Sequence, residues 1–299
     1  MSSEPLAPGS AEPRLRIASP TADRPFVELT GLDLRAVDAP LARRLRELAY
    51  VHQILVLRDQ DPADLDGWLA FARVLGTVEP YFQAHYHHPE HPEIFVSSNV
   101  PLNGRKVGVA GTGRMWHADY SFFARPLAFT MIRPIVLPTS RRETLFVDMR
   151  RVWRELPHGL RGRVAGLHAV HDAWDYYKVQ PKDVDRAIAE LIEDWHREAP
   201  GATHPLVVRH PFTGEEHLYC SSGFTKSIAG VSHEDGQALL RDLFAFCEQE
   251  RFVHHQPWQP GDILLWDNRS LIHRAAPAPA GEPSCSFRIS LYDDLPFAG

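Results

Sequence analysis

The chain has 299 residues, 44% hydrophobic and 23% charged, which is enough apolar material for one packed core and too little charge to keep it unfolded. Its 32 lysines and arginines are outnumbered by 38 aspartates and glutamates, and the formal charge of −6 gives no overall basic field to attract a phosphate backbone or an anionic lipid surface. A nucleic-acid partner is therefore not expected, and no stretch approaches the ~18 apolar residues of a membrane span.

Residues 1–13, rich in Ser, Pro, Ala and Glu, lack the cationic start and apolar core of a signal sequence and are expected to be disordered, with 14–299 as one domain. Residues 26–34 (FVELTGLDL) alternate as a strand does, and 41–51 carry apolar residues at helical spacing. ILVL at 54–57 reads as a short buried strand, and 65–75 as a helix stopped by Gly76. These elements predict a small α/β beginning packed outside a larger sheet. From Ile94 onward come short β-type runs punctuated by Pro, Gly and Asn: IFVSSN, LAFTMIRPIVL, HPLVVRHP, HLYCS, DILLWDN and FRISLYD. Helices are expected to interrupt them at 145–156, 184–197 and 236–249. The fold class is thus mainly β with peripheral helices, a barrel or double-sheet jelly roll. Cys220, Cys247 and Cys285 are odd in number and scattered, which fits a reducing cytoplasm and excludes a Cys-rich zinc site.

WHADYSF at 116–122 follows the Gly-rich 108–113. If it runs extended, His117 and Asp119, at i and i+2, project from one face. One imidazole and one carboxylate are a poor set for structural zinc, but a second histidine completes the facial triad that leaves open positions on Fe(II). His273 is the candidate, at the end of DILLWDNRSLIH and 273 − 117 = 156 residues away, a gap that a closed sheet bridges by making distant strands neighbours. By itself, an H-x-D pattern is weak evidence.

WHADYSF, TLF at 144–146, WDNRSLIHRA at 266–275 and FRISL at 287–291, in that order and spacing, resemble the taurine and 2,4-dichlorophenoxyacetate dioxygenase family from about Phe26 to the end. The resemblance implies a double-stranded β-helix and an oxygenase using Fe(II), 2-oxoglutarate and O₂. It also implies His117, Asp119 and His273 as metal ligands, Thr144 as the hydroxyl on the oxoacid's far carboxylate, and Arg288 as an arginine meeting a carboxylate or sulfonate. Many members carry a further arginine four residues before that last position. Here Ser284 stands there, so the oxoacid anchor is either Arg288 or Arg142.

A narrower likeness is to the isonitrile-forming oxygenases of actinobacterial lipopeptide pathways, carried by HPEIFVSSNVPLNG at 91–104, TGRMWHADYSF at 112–122, YYKVQPKDV at 176–184 and WDNRSLIHRA. It implies oxidation and decarboxylation of an N-carboxymethyl β-amino acid to an isonitrile, with Tyr81, Tyr86 and Lys178 as substrate-binding residues. Phe82, Gln180 and Pro277 depart from that group, where a tyrosine, an arginine and a histidine stand.

The alternatives are a 2-oxoglutarate-dependent hydroxylase of another small carboxylate, amino acid or sulfonate, a metal hydrolase on the same ligands, and a non-catalytic jelly-roll binding protein. No general base for hydrolysis is evident in the motif. The histidine run at 85, 87, 88 and 91 is read as solvated loop residues and 108–113 as loop backbone, since no Lys-Ser/Thr ending follows it as in a phosphate loop. The expected partner is a small-molecule carboxylate, with neither nucleic acid nor membrane and with homo-oligomerisation left open; the expected compartment is the cytoplasm.

Overall fold

The computed structural model describes residues 15–18, 26–102, 104–140, 142–276 and 281–298; the segment expected to be disordered and Pro277 lie outside them. The chain is mostly sheet with some helices. β1 (Arg16–Ala18) and β2 (Val27–Thr30) lead into α1 (Ala39–His52), β3 (Ile54–Leu57) and α2 (Leu65–Leu75), then β4 (Thr77–Glu79), β5 (Phe95–Ser98) and β6 (Phe129–Val136). Next come β7 (Glu143–Asp148), α3 (Met149–Glu155), α4 (His158–Val164), β8 (His168–His171), α5 (Ile188–Glu198), β9 (Ala202–Pro205), β10 (Val207–Arg209), β11 (Glu216–Leu218) and β12 (Thr225–Ile228). Finally α6 (His233–Cys247) precedes β13 (Val253–Pro257), β14 (Ile263–Asp267), β15 (Leu271–Ala275) and β16 (Cys285–Tyr292).

Among the described residues the large sheet runs β1-β2-β3-β14-β6-β16-β4, with β5 also on β16; a smaller one runs β13-β7-β15. Strand alternation divides their side chains. Leu55, Leu57, Ile263 and Leu265 join the core beneath α1 and α2, whereas Ile54, Val56, Leu264 and Trp266 face inward to Phe146 of the small sheet. On β7, Leu145 and Val147 instead meet Leu239, Leu240 and Leu243 of α6. The layers are therefore helices, large sheet, small sheet and helices, and the inward faces of the two sheets enclose the polar groups described below.

Three expectations need correction. β3 lies inside the large sheet, parallel to β2 and antiparallel to β14, so the N-terminal α/β segment helps build that sheet instead of packing outside it. The helix expected at 145–156 begins only at Met149, because both faces of β7 are buried and its apolar run hides a period of two. The Asp148 carboxylate then caps the helix, accepting the N–H groups of Arg150 (2.9 Å) and Arg151 (3.2 Å). The helix expected from 184 starts at Ile188, after Asp185 at φ +67° has broken the helical path.

Candidate metal centre

His273 sits on β15 beside Phe146 of β7. The segment bearing His117 lies along it, and the two residues exchange backbone hydrogen bonds, His117 N–H to His273 O at 3.0 Å and His273 N–H to His117 O at 2.8 Å. This isolated bridge brings residues 156 apart into contact. Residues 116–122 are not the extended strand expected: beyond the bridge the chain turns, with Tyr120 at φ +60°. A bulky residue in that region is strained. Its buried ring packs 4.7 Å from Phe123, and its hydroxyl accepts the Phe82 N–H at 3.2 Å.

One ligand atom from each of His117, Asp119 and His273 lies within 4.8 Å of the others, the only such group among the described residues. His117 Nδ1 is 2.7 Å from Met115 O, so it carries the ring proton and Nε2 keeps its lone pair, 3.6 Å from Asp119 Oδ1. His273 Nε2 is 3.7 Å from Asp119 Oδ2. Burial pushes both imidazoles toward the neutral form. Burial also opposes ionisation of Asp119, but the Arg288 guanidinium and the Thr130 hydroxyl bond favour the carboxylate and help hold the group well below its usual range. Two neutral imidazoles and a carboxylate fit an Fe(II) facial site.

Two cavities, of about 320 and 70 Å³, meet here, sharing Phe95, Thr112, Gly113, His117 and Arg288. The smaller is lined also by Arg142, Thr144, Trp258 and His273. Trp258 Nε1–H donates to Thr144 Oγ1 at 2.9 Å, leaving the hydroxyl proton for another acceptor. Arg142 Nη1 donates to Ala276 O at 2.7 Å, while its buried Nε has no hydrogen-bond partner. Burial, and then neighbouring Arg114, disfavour its charge, which an anion in this cavity would relieve. Ser284 lies close by, on a pocket shared with Arg142 and Arg114.

The larger cavity brings Lys178 together with Tyr81 and Tyr86, which lie far from it in sequence. Tyr81 stacks edge-on with Tyr86 at 4.9 Å and Phe95 at 5.0 Å, and burial raises the Tyr86 hydroxyl to about 12 and that of Tyr81 well above its usual range, so both stay neutral phenols. Lys178 Nζ donates to Ala110 O at 2.6 Å. Arg114 and Arg288 line the same wall, and the carboxylate of Asp175 is paired with Lys226 at 2.8 Å. Arg288 Nη1 donates to Asp119 Oδ1 at 2.9 Å, so the arginine expected on a ligand carboxylate is held on a metal-ligand candidate; its buried Nε has no hydrogen-bond partner. Phe82 packs on Trp195, and Gln180 turns to Lys178 O at 2.7 Å in a neighbouring groove; neither lines the cavity.

The histidine run is partly buried, not solvated: His85 stacks on Tyr86 at 4.4 Å and His87 Nε2 is 2.6 Å from Tyr81 O. Gly108 has φ +69°, and a Cβ there would lie 2.3 Å from Val96 O, so this close approach of loop to β5 requires glycine. Sequence reading missed Arg114, an exposed arginine in a loop. It also missed Thr130 and the role of Asn268, since a threonine inside an apolar strand gives no signal and the asparagine stood only at the end of the β-type run DILLWDN.

Comparison with known proteins places these features together. Residues 16–289 match the family described as "Taurine catabolism dioxygenase TauD, TfdA family". Pentalenolactone F synthase of Streptomyces arenae is 31% identical over 248 residues, covering 81% of this chain and 83% of its own. The alpha-ketoglutarate-dependent 2,4-dichlorophenoxyacetate dioxygenase of Cupriavidus pinatubonensis is 30% identical over 254 residues, covering 81% and 86%. The crystal structure of a taurine dioxygenase from Burkholderia xenovorans superposes with a TM-score of 0.73 at 25% identity, covering 94% of this chain and 90% of that one.

Proposed function

The chain belongs to the taurine catabolism dioxygenase TauD, TfdA family, and on that premise we propose that it oxidises a small carboxylate in the larger cavity. It is an oxidoreductase, a dioxygenase using Fe(II), 2-oxoglutarate and O₂. The observation that carries the substrate reading is the cavity wall: Arg114, Lys178 and Arg288 face a space whose carboxylates are Asp119 and the already paired Asp175. An anion is the ligand such a wall favours.

In this reading His117, Asp119 and His273 hold the metal, and the facing sheets form the family's double-stranded β-helix. Iron with 2-oxoglutarate and O₂ supplies the oxidising chemistry when bound. The residues do the rest. Arg142 and Thr144 take the far carboxylate of 2-oxoglutarate, which replaces the arginine missing at Ser284. Arg288 spans both cavities, and Tyr81, Tyr86 and Phe95 exclude water. The leading substrate is an N-carboxymethyl β-amino acid converted to an isonitrile, supported by Tyr81, Tyr86 and Lys178 lining one cavity with His117 and Asp119. The dichlorophenoxyacetate-oxidising relative supports a second reading, hydroxylation of another carboxylate held against the same rings.

Two substitutions separate the ligands. Arg142→Ala is expected to weaken 2-oxoglutarate by about 2–5 kcal/mol, the cost of stranding a buried charge partner, in an anaerobic titration followed by the visible charge-transfer band of the iron complex. Lys178→Met is expected to raise the dissociation constant of the N-carboxymethyl β-amino acid and leave that of 2-oxoglutarate unchanged. Equal effects of Lys178→Met on both ligands would remove Lys178 from the substrate site. Mass analysis after turnover decides the product: an isonitrile supports the leading reading, and a hydroxylated carboxylate supports the second.

A further inference from the structure

Cross-strand pairing puts Thr130 of β6 directly beside Trp266 of β14, with Asn268 just beyond that strand. Thr130 and Asn268 are fully buried and Trp266 is 1% exposed, so water is not at hand to complete their hydrogen bonding. Trp266 Nε1 is 3.0 Å from Asn268 Oδ1, Asn268 Nδ2 is 2.8 Å from Thr130 Oγ1, and Thr130 Oγ1 is 2.7 Å from Asp119 Oδ2.

The direction of this chain follows from donor inventory. An indole N–H can only donate, so the amide atom facing it is oxygen, which the Asp119 N–H at 3.5 Å also addresses. The amide NH₂ therefore faces Thr130, whose hydroxyl accepts from it. That hydroxyl has one proton, and the carboxylate oxygen is the acceptor left to receive it.

We infer that Thr130, oriented by Asn268 and through it by Trp266, is a positioning residue that fixes the plane of the Asp119 carboxylate for iron binding. Arg288 holds the other oxygen, at 2.9 Å, so the carboxylate is fixed at both ends. A metal ligand whose orientation is set in advance loses less freedom on binding, and loss of such a supporting partner typically weakens metal affinity about 10–100-fold. The inference rests on Asp119 being an iron ligand.

The test is an anaerobic Fe(II) titration of the full chain, with the charge-transfer band of the Fe(II)–2-oxoglutarate complex as second readout. Thr130→Val, which keeps the shape and removes the hydroxyl, is expected to raise the Fe(II) dissociation constant about tenfold or more and to shift the band, while Thr130→Ser stays within about twofold of the unsubstituted chain. Should the valine variant not fold, Thr130→Cys, with its weak donor, is expected to weaken iron in the same direction. Iron affinity and band unchanged in a folded valine or cysteine variant would overturn the relay. If the unsubstituted chain bound no Fe(II) at all, the metal assignment would fall and the relay with it.

Discussion

Asp119→Ala is expected to lose iron almost completely, more than the roughly 10–100-fold that removal of a supporting partner causes. Three protein groups converge here, and Asp119 is the one carboxylate among them. Without it two imidazoles remain, a set far weaker for a hard divalent cation than one containing an anionic oxygen. The substitution also strands Arg288, whose Nη1 donates to the lost oxygen. Some loss of stability of the metal-free chain should therefore accompany the loss of iron. Anaerobic Fe(II) titration, in buffer free of small carboxylates that fill a vacated position, measures the first effect, and thermal melting measures the second. Full iron occupancy in this variant would remove Asp119 from the metal centre.

Arg288→Ala carries the second large effect. The guanidinium lies 4.2 Å over the Phe95 ring, lines both cavities and pairs with Asp119. A ligand carboxylate entering beside it meets an unpartnered buried Nε, and charge-assisted bonds of this kind are the strong ones. Truncation is expected to cost a ligand carboxylate about 2–5 kcal/mol, roughly 30-fold to several thousand-fold in its dissociation constant. Separate titrations with 2-oxoglutarate and with an N-carboxymethyl β-amino acid identify which carboxylate it holds. In the proposed arrangement Arg142 and Thr144, which line the smaller cavity, take the cofactor, so the larger effect is expected on the substrate. Unchanged affinity for both ligands would confine Arg288 to Asp119.

The strands with one-sided or short apolar patterns were legible in the sequence. Ile54–Leu57 is a strand and Leu65–Leu75 a helix, as their patterns require. The convergence of His117, Asp119 and His273 within 4.8 Å was legible too, because they are the residue types iron needs, in motifs whose order fits one family. Its geometry was not. The i, i+2 argument assumed an extended strand, whereas the side chains converge through a two-residue backbone bridge and a turn at Tyr120. Helix 145–156 was overextended for a related reason: a strand buried on both faces shows no alternation.

What stayed hidden depends on tertiary contacts. Nothing local marks Thr130, whose meaning lies in its alignment with Trp266 across the sheet. Arg142 was named only for its nearness to Thr144, and its suitability rests on an unpartnered Nε beside a small cavity. Phe82 and Gln180, which depart from the isonitrile-forming group, fall outside the cavity lining and reach it only through proposed substrate contacts, Phe82 by packing 4.6 Å from the Tyr81 ring and Gln180 by its bond to Lys178 O.

The most direct test is coupled turnover at the triad. The chain is loaded anaerobically with Fe(II) and 2-oxoglutarate, exposed to O₂ with a panel of N-carboxymethyl β-amino acids and other small carboxylates, and assayed for succinate and for substrate mass. Succinate released in step with oxidation of at least one carboxylate, and abolished by Asp119→Ala, is the expected result. No succinate with any member of the panel, or succinate formation unchanged by Asp119→Ala, would contradict 2-oxoglutarate-dependent oxidation at His117, Asp119 and His273.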